Sequence, residues 1–338
     1  MGPYPESAGR RADMTLLLSQ ADVAGLLDLP QAMQATRQAL REQAAGAVTA
    51  VPPRHVNVPR GALRIVSGAL HQSQRMGVRL GPAAGFVDAS GGDRMVALLY
   101  DSESGDLLSV MAYPFSRLRT GGTIGVATEL LARADARAVG MIGTGRNALS
   151  LLQAACHVRP VERIRVHSRN PERREAFAAR TREALGVPVE ATAEAAAAVR
   201  DADLVYVATD ALEPVLHADW LAPGAFVGSM GRPSELDPSV YLAAHTIVVG
   251  DREHEEQYFD VGRYPHQLLK LIDAGQLDWS AVHELCDVLV GRAPGRTAPD
   301  QTIVFKESQG GFGDVAFANW VYGRACERGL GQEWEFYQ

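Results

Sequence analysis

Near the middle of the chain runs the sequence Ala138-Val139-Gly140-Met141-Ile142-Gly143-Thr144-Gly145-Arg146-Asn147-Ala148, followed by a helix-like stretch to His157. The apolar residues before Gly143 predict a buried strand, and the pattern after it predicts a tight turn into a helix. In such a turn Gly145 leaves room for a pyrophosphate, Ala148 allows close helix–strand packing, and the helix N-terminus presents unpaired N–H groups. The pattern therefore predicts a dinucleotide-binding turn. The predicted contacts are Gly143, Thr144, Gly145, Arg146, Asn147 and Ala148.

The end of the next apolar strand indicates which dinucleotide binds. Ile164-Arg165-Val166-His167 leads into Ser168-Arg169-Asn170, where dinucleotide-binding domains usually place an acid for the ribose hydroxyls of NAD. This chain has no acid there. A hydroxyl followed by a guanidinium suits a ribose 2'-phosphate, because Arg forms a bidentate, charge-assisted pair with it. We therefore predict NADP(H), with NAD(H) as the weaker alternative, and contacts from Ser168, Arg169 and Asn170. Taken alone, the glycines would also fit an ordinary turn and Arg169 a solvated loop charge.

The composition indicates a soluble globular enzyme. A length of 338 residues predicts two domains, and 46% hydrophobic with 22% charged residues is typical of chains with sizeable cores. The net charge of -7 argues against nucleic acid or an anionic membrane as a partner. No apolar run reaches the ~18 residues that span a bilayer, and the three cysteines form no recognisable metal-ligand set with nearby histidines. We therefore expect a cytoplasmic protein without a membrane segment or a metal site.

The order of the sequence patterns indicates a discontinuous first domain. Residues 1–13, rich in Gly, Pro, Ser and Arg, are expected to be a disordered extension. Residues 14–119 contain helical periodicity followed by strand-like runs, whereas residues 120–301 alternate strands and helices in the order of a parallel, doubly wound sheet. Residues 302–338, beginning with the apolar run Thr302 to Phe305, are predicted to return to the first domain. The predicted fold class is α/β, with a Rossmann domain inserted into an α+β domain.

Five motifs follow one another along the chain: Arg119-Thr120-Gly121-Gly122-Thr123, Ala208-Thr209, Glu235-Leu236-Asp237, Gly295-Arg296, and Val304-Phe305-Lys306 through Asp314. With these motifs in this order, the chain resembles the ornithine cyclodeaminase and mu-crystallin family from about Leu16 to Gly331. The resemblance implies a homodimer joined through the first domain and nicotinamide chemistry at the carbon that bears an amino acid's nitrogen. It also implies cofactor contacts at Thr209, Ser229 and Met230.

The resemblance further implies a substrate site. Arg54 and Arg119 match positions that hold the substrate's carboxylate, for which a guanidinium is a forked donor. Arg79 stands where much of the family has a Lys that relays protons; because a guanidinium stays protonated at neutral pH, Arg79 is expected to hold an anion instead. As alternatives, Arg119 would form a salt bridge at the domain boundary and Arg54 would lie in an exposed turn. Asp314 is expected to cap the last helix, and residues 251–257 to form a solvated helix.

One further departure separates the candidate activities. Cyclodeaminases of this family hold the substrate amine with an Asp after the fifth Rossmann strand, whereas this chain has Met230 there. The leading hypothesis is an NADPH-dependent oxidoreductase acting on a small carboxylate-bearing imine or ketimine, or on the corresponding amino acid in reverse. In this hypothesis Arg54, Arg79 and Arg119 hold the anionic end. Two alternatives remain: an ornithine cyclodeaminase-like enzyme, and a mu-crystallin-like protein that binds NADPH without catalysis.

Overall fold

The computed structural model of the chain describes residues 14–83, 94–257, 265–308 and 310–336. The expected disordered extension, residues 1–13, lies outside these ranges. The chain forms two compact units, Met1–Gly122 with Gln309–Gln338 and Thr123–Ser308. None of the helices in the described ranges combines the length and the apolar character that crossing a bilayer requires.

Both units combine strands with helices. The strands are β1 Thr15–Leu18, β2 Val48–Val58, β3 Gly61–Leu70, β4 Arg75–Ala83, β5 Val96–Asp101, β6 Leu107–Ala112, β7 Ala138–Ile142, β8 Arg163–His167, β9 Val189–Ala191, β10 Leu204–Val207, β11 Phe226–Ser229, β12 Thr246–Val249, β13 Val282–Glu284, β14 Ile303–Lys306 and β15 Gln332–Trp334. The helices are α1 Gln20–Val23, α2 Leu29–Ala44, α3 Ser116–Leu131, α4 Ala148–Val158, α5 Pro171–Leu185, α6 Ala195–Val199, α7 Pro238–Leu242, α8 Arg252–Gln257, α9 Gln267–Asp273, α10 Leu285–Leu289 and α11 Gly311–Arg328.

The first unit is built on one mixed sheet with the strand order β15-β1-β6-β5-β4-β3-β2. Its pairs are antiparallel except for the parallel pair of β1 and β6. Helix α11 packs against β2 to β5, and α2 packs against α11. The capping box of Asp28 and Gln31 fixes the start of α2, because each side chain accepts a hydrogen bond from the backbone N–H of the other residue. Most of α11 is buried, so its polar residues need partners inside the unit.

Strand β2 continues through Pro52-Pro53-Arg54 by means of a bulge. Val51 pairs with Ser67 but Arg54 pairs with Ile65, so the two prolines together face Val66. Because side chains alternate along a strand, the extra residue moves Arg54 to the opposite face from Arg79, whose cross-strand partner is Val66. That face, called the outer apolar face below, carries a group of exposed apolar side chains. They are Val51, Val56, Val58, Leu63 and Met76.

The second unit is the parallel, doubly wound sheet that the sequence predicts. Its order is β13-β12-β14-β11-β10-β7-β8-β9, and each of its described pairs is parallel. Every residue of β7, β10, β11, β12 and β14 is buried, as expected of central strands in such a sheet. The residues after β7, β10, β11 and β14 therefore share one sheet edge, where ligands bind in this architecture. The predicted α/β class and Rossmann-like sheet are confirmed.

The apolar run Thr302 to Phe305 does not return to the first domain, so this prediction is wrong. Residues 303–306 form β14, which pairs with β11 and β12 inside the Rossmann-like sheet. A short apolar run fits a buried strand of either domain, and its periodicity does not say which sheet it joins. The unit boundaries accordingly fall after Ser308 instead of before Thr302, and after Gly122 instead of after Arg119.

Candidate functional site

The turn after β7 has the predicted geometry. Gly143 has φ +103°, and a Cβ at this position would lie 2.3 Å from the carbonyl oxygen of Ala208, so a side chain does not fit. A Cβ on Gly145 would have no atom within 4 Å, so the space beside this backbone is open. Helix α4 begins at Ala148, and the side chain of its N-cap, Asn147, makes no capping hydrogen bond. The first turn of α4 thus suits a pyrophosphate as acceptor. Thr144 is half-buried and Arg146 exposed.

The residues after β8 divide between local structure and an exposed charge. The Ser168 hydroxyl accepts a hydrogen bond from Thr144 Oγ1 at 2.9 Å, which links this loop to the glycine turn. Asn170 is the N-cap of α5, and its Oδ1 accepts from the backbone N–H of Arg173 at 2.8 Å. Arg169 is exposed and has no ion pair or hydrogen bond within the described residues. Arg169 is therefore the group of this loop that is placed to receive an anionic ligand.

A buried carboxylate joins the ends of β10 and β11. Glu235 is fully buried, and its Oε2 accepts hydrogen bonds of 2.9 Å from both the backbone N–H and the hydroxyl of Thr209. Its Oε1 accepts from the hydroxyl of Ser229 at 2.7 Å and from the backbone N–H of Gly231 at 2.8 Å. The hydroxyl protons of Thr209 and Ser229 are therefore directed to Glu235. The side chains of both predicted cofactor residues are thus engaged within the protein, and Glu235, which engages them, was named in the sequence only as part of a motif.

Two further side chains lie at the same sheet edge. Met230 is half-buried, and its backbone N–H donates to the carbonyl of Val207 at 2.8 Å. Lys306, at the end of β14, is buried, and its ammonium donates to the carbonyl oxygens of Gly231 at 2.9 Å and Glu307 at 3.3 Å. The loop after β11 is thus held by hydrogen bonds to both Glu235 and Lys306.

In the first unit, two predicted site residues converge on one carboxylate. Arg79 Nε lies 2.9 Å from Asp314 Oδ2, and Arg119 Nε lies 3.3 Å from Asp314 Oδ1. The Tyr113 hydroxyl donates to Asp314 Oδ1 at 2.9 Å. The N–H of Arg79 Nε is not aligned with its carboxylate oxygen, so this contact is an ion pair and not a well-formed hydrogen bond. Arg79 Nη1 faces the sulfur of Met95 at 2.8 Å, a weak acceptor that a ligand carboxylate would outcompete.

The charges of this cluster are fixed by its surroundings. Burial by itself would raise the pKa of Asp314, but the charges of Arg79 and Arg119 outweigh burial and hold that pKa below its usual value. Burial, followed by the charge of Asp314, raises the pKa of Tyr113 well above its usual value. Asp314 is also not the cap of α11: the N-cap is Gly310, and Asp314 lies in the first turn of the helix with its carboxylate on the two arginines. The predicted capping role is therefore wrong.

Arg54 does not join this cluster. Its side chain is exposed on the outer apolar face, and no ion pair or hydrogen bond of Arg54 occurs within the described ranges. The structure thus brings together Arg79 and Arg119 but not the third arginine that the resemblance implied. The bulge at the preceding prolines is the physical reason, because without it Arg54 would project from the same face as Arg79.

Two polar clusters in the second unit differ from expectation. The predicted solvated helix, α8, buries Glu255, whose Oε2 pairs with His266 Nε2 at 2.6 Å. Since His266 Nδ1 accepts from the backbone N–H of Leu269, its proton lies on Nε2 and is donated to Glu255. Separately, Glu284, Cys286 and Asp287 place their ligand atoms within 4.8 Å of one another. Burial, with the charges of the two nearby acids, raises the pKa of Cys286 to about 12, so this sulfur is held as a thiol at neutral pH.

Comparison with known proteins places this geometry in context. A model of the Ornithine cyclodeaminase/mu-crystallin family matches residues 13–329. A Delta(1)-pyrroline-2-carboxylate reductase of Bacillus cereus is 30% identical over 247 residues, which cover 71% of this chain and 74% of the relative. The Thermococcus litoralis Delta(1)-pyrroline-2-carboxylate reductase in complex with NADH and L-proline is 27% identical, with a TM-score of 0.83 over 94% of this chain and 99% of that one. An archaeal alanine dehydrogenase dimer with bound NAD is 26% identical, with a TM-score of 0.84 over 96% of this chain and 100% of that one.

Proposed function

Because the chain belongs to the ornithine cyclodeaminase/mu-crystallin family, we propose that it is a nicotinamide-dependent oxidoreductase that reduces a small imine or ketimine bearing a carboxylate. The observation that carries this proposal is the convergence of two largely buried guanidinium groups, Arg79 and Arg119, on Asp314. Relatives named as reductases of a carboxylate-bearing cyclic imine, and as an amino acid dehydrogenase, support the reaction class. The reverse reaction, oxidation of the corresponding amino acid, uses the same groups.

The second unit supplies the cofactor site in this proposal. The open backbone at Gly145 and the uncapped first turn of α4 fit the pyrophosphate, and the loops after β10 and β11 line the same sheet edge. When bound, a nicotinamide cofactor supplies the hydride that the imine carbon receives. The relatives solved with NADH and with NAD support a cofactor of this class.

We further propose a preference for NADPH over NADH. Ser168 and Arg169 stand where an acid would hold the ribose hydroxyls of NADH, and the exposed Arg169 guanidinium can form a bidentate pair with a 2'-phosphate. The hydrogen bond from Thr144 keeps the Ser168 side chain beside the glycine turn. An acid at this loop would repel the phosphate, and none is present in Ser168-Arg169-Asn170.

In the first unit, Arg79 and Arg119 are proposed to hold the substrate's carboxylate. The two guanidinium groups supply the positive charge, and Tyr113 holds its proton because burial raises its pKa. The cluster therefore binds the anion without exchanging protons. If the substrate binds as a neutral imine, its nitrogen takes a proton from a group outside this cluster. If it binds as the iminium, the nitrogen already carries that proton. With Met230 in place of an acid, the second unit offers no carboxylate at that position to hold a substrate ammonium.

We also propose that the protein is a homodimer joined through the outer apolar face. Five apolar side chains are exposed on this one side of β2, β3 and β4, and a patch of this kind commonly marks a protein interface. The archaeal alanine dehydrogenase, a relative with the same fold, is described as a dimer, which supports this assembly.

The activity is tested by following the absorbance of NADPH with purified protein and a panel of cyclic imines and of 2-oxo acids mixed with amines. We expect oxidation of NADPH with at least one carboxylate-bearing imine. Release of ammonia from ornithine without net cofactor turnover would instead identify a cyclodeaminase. Tight binding of NADPH with no turnover across the panel would favour the non-catalytic binding protein.

A further inference from the structure

Glu235 is a buried acid whose burial needs an explanation. Its side chain is fully buried, yet its hydrogen-bond partners lie at the ends of β10 and β11, at the sheet edge where the cofactor is proposed to bind. Taking a carboxylate out of water is costly unless hydrogen bonds replace the lost solvation. Here the carboxylate accepts four hydrogen bonds of 2.7 to 2.9 Å, which matches the number of lone-pair sites that a carboxylate offers. Each acceptor site is therefore used inside the protein.

The four donors come from two neighbouring strand ends. Thr209 follows β10 and supplies a backbone N–H and a hydroxyl; Ser229 ends β11 and, with Gly231, supplies a hydroxyl and a backbone N–H. Strand β10 lies between β11 and β7, and β7 carries the glycine turn. Glu235 thus ties the loop after β10, which borders the glycine turn, to the loop after β11.

The backbone of Glu235 is itself anchored. Its carbonyl accepts from the N–H of Val215 at 2.9 Å, and the next residue, Leu236, forms a parallel bridge with Leu216. The approach of the loops is close: a Cβ on Gly231 would lie 2.1 Å from a carboxylate oxygen of Glu235 and 2.3 Å from the carbonyl of Thr209. A side chain at position 231 would therefore displace the carboxylate of Glu235 or the backbone of Thr209.

We infer that Glu235 is a positioning residue of the nicotinamide cofactor site: its carboxylate holds the backbone after β10 and β11 in the geometry that binds the cofactor. This inference rests on the proposal that the second unit binds such a cofactor. Glu235 does not touch the cofactor in this scheme, since its four acceptor sites are occupied by Thr209, Ser229 and Gly231.

Glu235→Gln tests the inference because it keeps the size of the side chain but replaces one carboxylate oxygen by an NH2 group. That oxygen accepts two hydrogen bonds, whereas the NH2 group only donates. A hydroxyl can rotate to accept from that NH2, but the backbone N–H of Thr209 or Gly231 cannot. One buried N–H then loses its acceptor and its loop shifts, and we expect the dissociation constant for NADPH to rise about ten-fold. The affinity for the oxidised cofactor should fall by the same factor. The substitution is expected to move a loop and not to change the charge beside the nicotinamide. The affinities are measured by fluorescence titration of the folded protein.

A matched control lies in the first unit. Glu42 is also fully buried, and its carboxylate accepts from the backbone N–H groups of Gln72 and Ser73 and from the hydroxyl of Ser73. Glu42→Gln also replaces a buried carboxylate by an amide, and it should leave the NADPH dissociation constant unchanged; the melting temperatures of both variants show how much stability each one loses. If both variants weaken NADPH binding to the same extent, the effect is general destabilisation and the inference is overturned.

The remaining outcomes separate the two proposals. If the parent protein binds neither NADPH nor NADH, the proposed function fails. If the parent binds and Glu235→Gln binds equally well, only the positioning role fails. Should Glu235→Gln not fold, Ser229→Ala replaces it: Ser229 is fully buried, so it acts on the cofactor only through Glu235. We expect Ser229→Ala to weaken NADPH about three-fold, and an unchanged dissociation constant would contradict the inference.

Discussion

The buried carboxylate of Asp314 sets the net charge of the cluster that it forms with Arg79 and Arg119. Asp314 faces the Nε side of both Arg79 and Arg119, and it also accepts a hydrogen bond from the hydroxyl of Tyr113. Two cations and one anion leave the cluster with one net positive charge, which suits a monocarboxylate. An isolated pair of buried guanidinium groups would repel each other, so Asp314 also makes their proximity stable.

Substitution of Arg79 tests whether charge or proton exchange matters there. Arg79→Lys keeps the charge and should retain measurable turnover, whereas Arg79→Ala should raise KM sharply. Loss of a carboxylate partner in a desolvated site is expected to cost about 2 to 5 kcal/mol in kcat/KM, or roughly thirty-fold to several thousand-fold. Steady-state kinetics on an accepted imine measures this. NADPH affinity, which depends on the second unit, serves as the control and should survive both changes; parental kinetics in Arg79→Ala would place Arg79 outside the site.

Arg169 tests the cofactor preference in the same way. Its guanidinium is exposed and free of ion pairs within the described residues, so its removal should disturb little besides the ligand. We expect Arg169→Ala to weaken NADPH by about 1.5 to 3 kcal/mol, the range for a hydrogen bond to a charged group, and to leave NADH nearly unchanged. Fluorescence titration with both cofactors measures the difference. Equal affinity of the parent protein for NADPH and NADH would refute the assignment.

At the scale of elements, the start of α8 carries a pH-dependent group. Asp251 accepts from the backbone N–H of His254 at 2.9 Å, but burial, with the nearby charge of Glu284 and other acids, raises its pKa to about 6. The folded state therefore holds this proton more tightly than the unfolded state does, because the usual pKa of the group is 3.8. The contribution of Asp251 to the free energy of unfolding should fall as pH rises from about 4 to 6 and stay level above that, with a change of about 1 to 3 kcal/mol.

Asp251→Asn isolates this contribution. The amide oxygen still accepts from His254, but the group no longer ionises. Melting temperatures at pH 5 and pH 7.5 should therefore differ less in the variant than in the parent protein, and the variant should be the more stable of the two at pH 7.5. An identical pH dependence in both proteins would show that Asp251 is not the source of the effect.

The sequence predicts elements whose signal is local and misses those whose partners are remote. The glycine turn and the alternation of strand and helix are local patterns, and the second unit follows them. The bulge at Pro52-Pro53 could not be predicted, because it shows only when β2 is paired with β3. The partners of Asp314 and Glu235 lie on other elements, so their carboxylates resembled an ordinary helix cap and an unassigned motif residue. The composition of β14 likewise does not show which sheet the strand joins, because that depends on its pairing with β11 and β12.

For the whole molecule, the outer apolar face predicts the oligomeric state. Light scattering at micromolar concentration should report about twice the chain mass of 36.3 kDa. Val56→Asp, which places a charge on this face opposite Leu63, should shift the protein toward the monomer. Leu212→Asp introduces the same charge at an exposed apolar side chain of the second unit and should leave the dimer intact. A monomeric parent protein would contradict the proposed interface.

The central claim, that this chain reduces an imine held by its carboxylate, is tested most directly with two matched substrates. One is a five-membered cyclic imine with a carboxylate on the imine carbon, and the other is the same imine without it. With NADPH in excess, we expect kcat/KM to be at least about 100-fold higher for the carboxylate, the value of a charge-assisted pair lost from a desolvated site. Arg79→Ala should remove most of that difference. Rates for the two imines within about three-fold of each other in the parent protein would contradict the account.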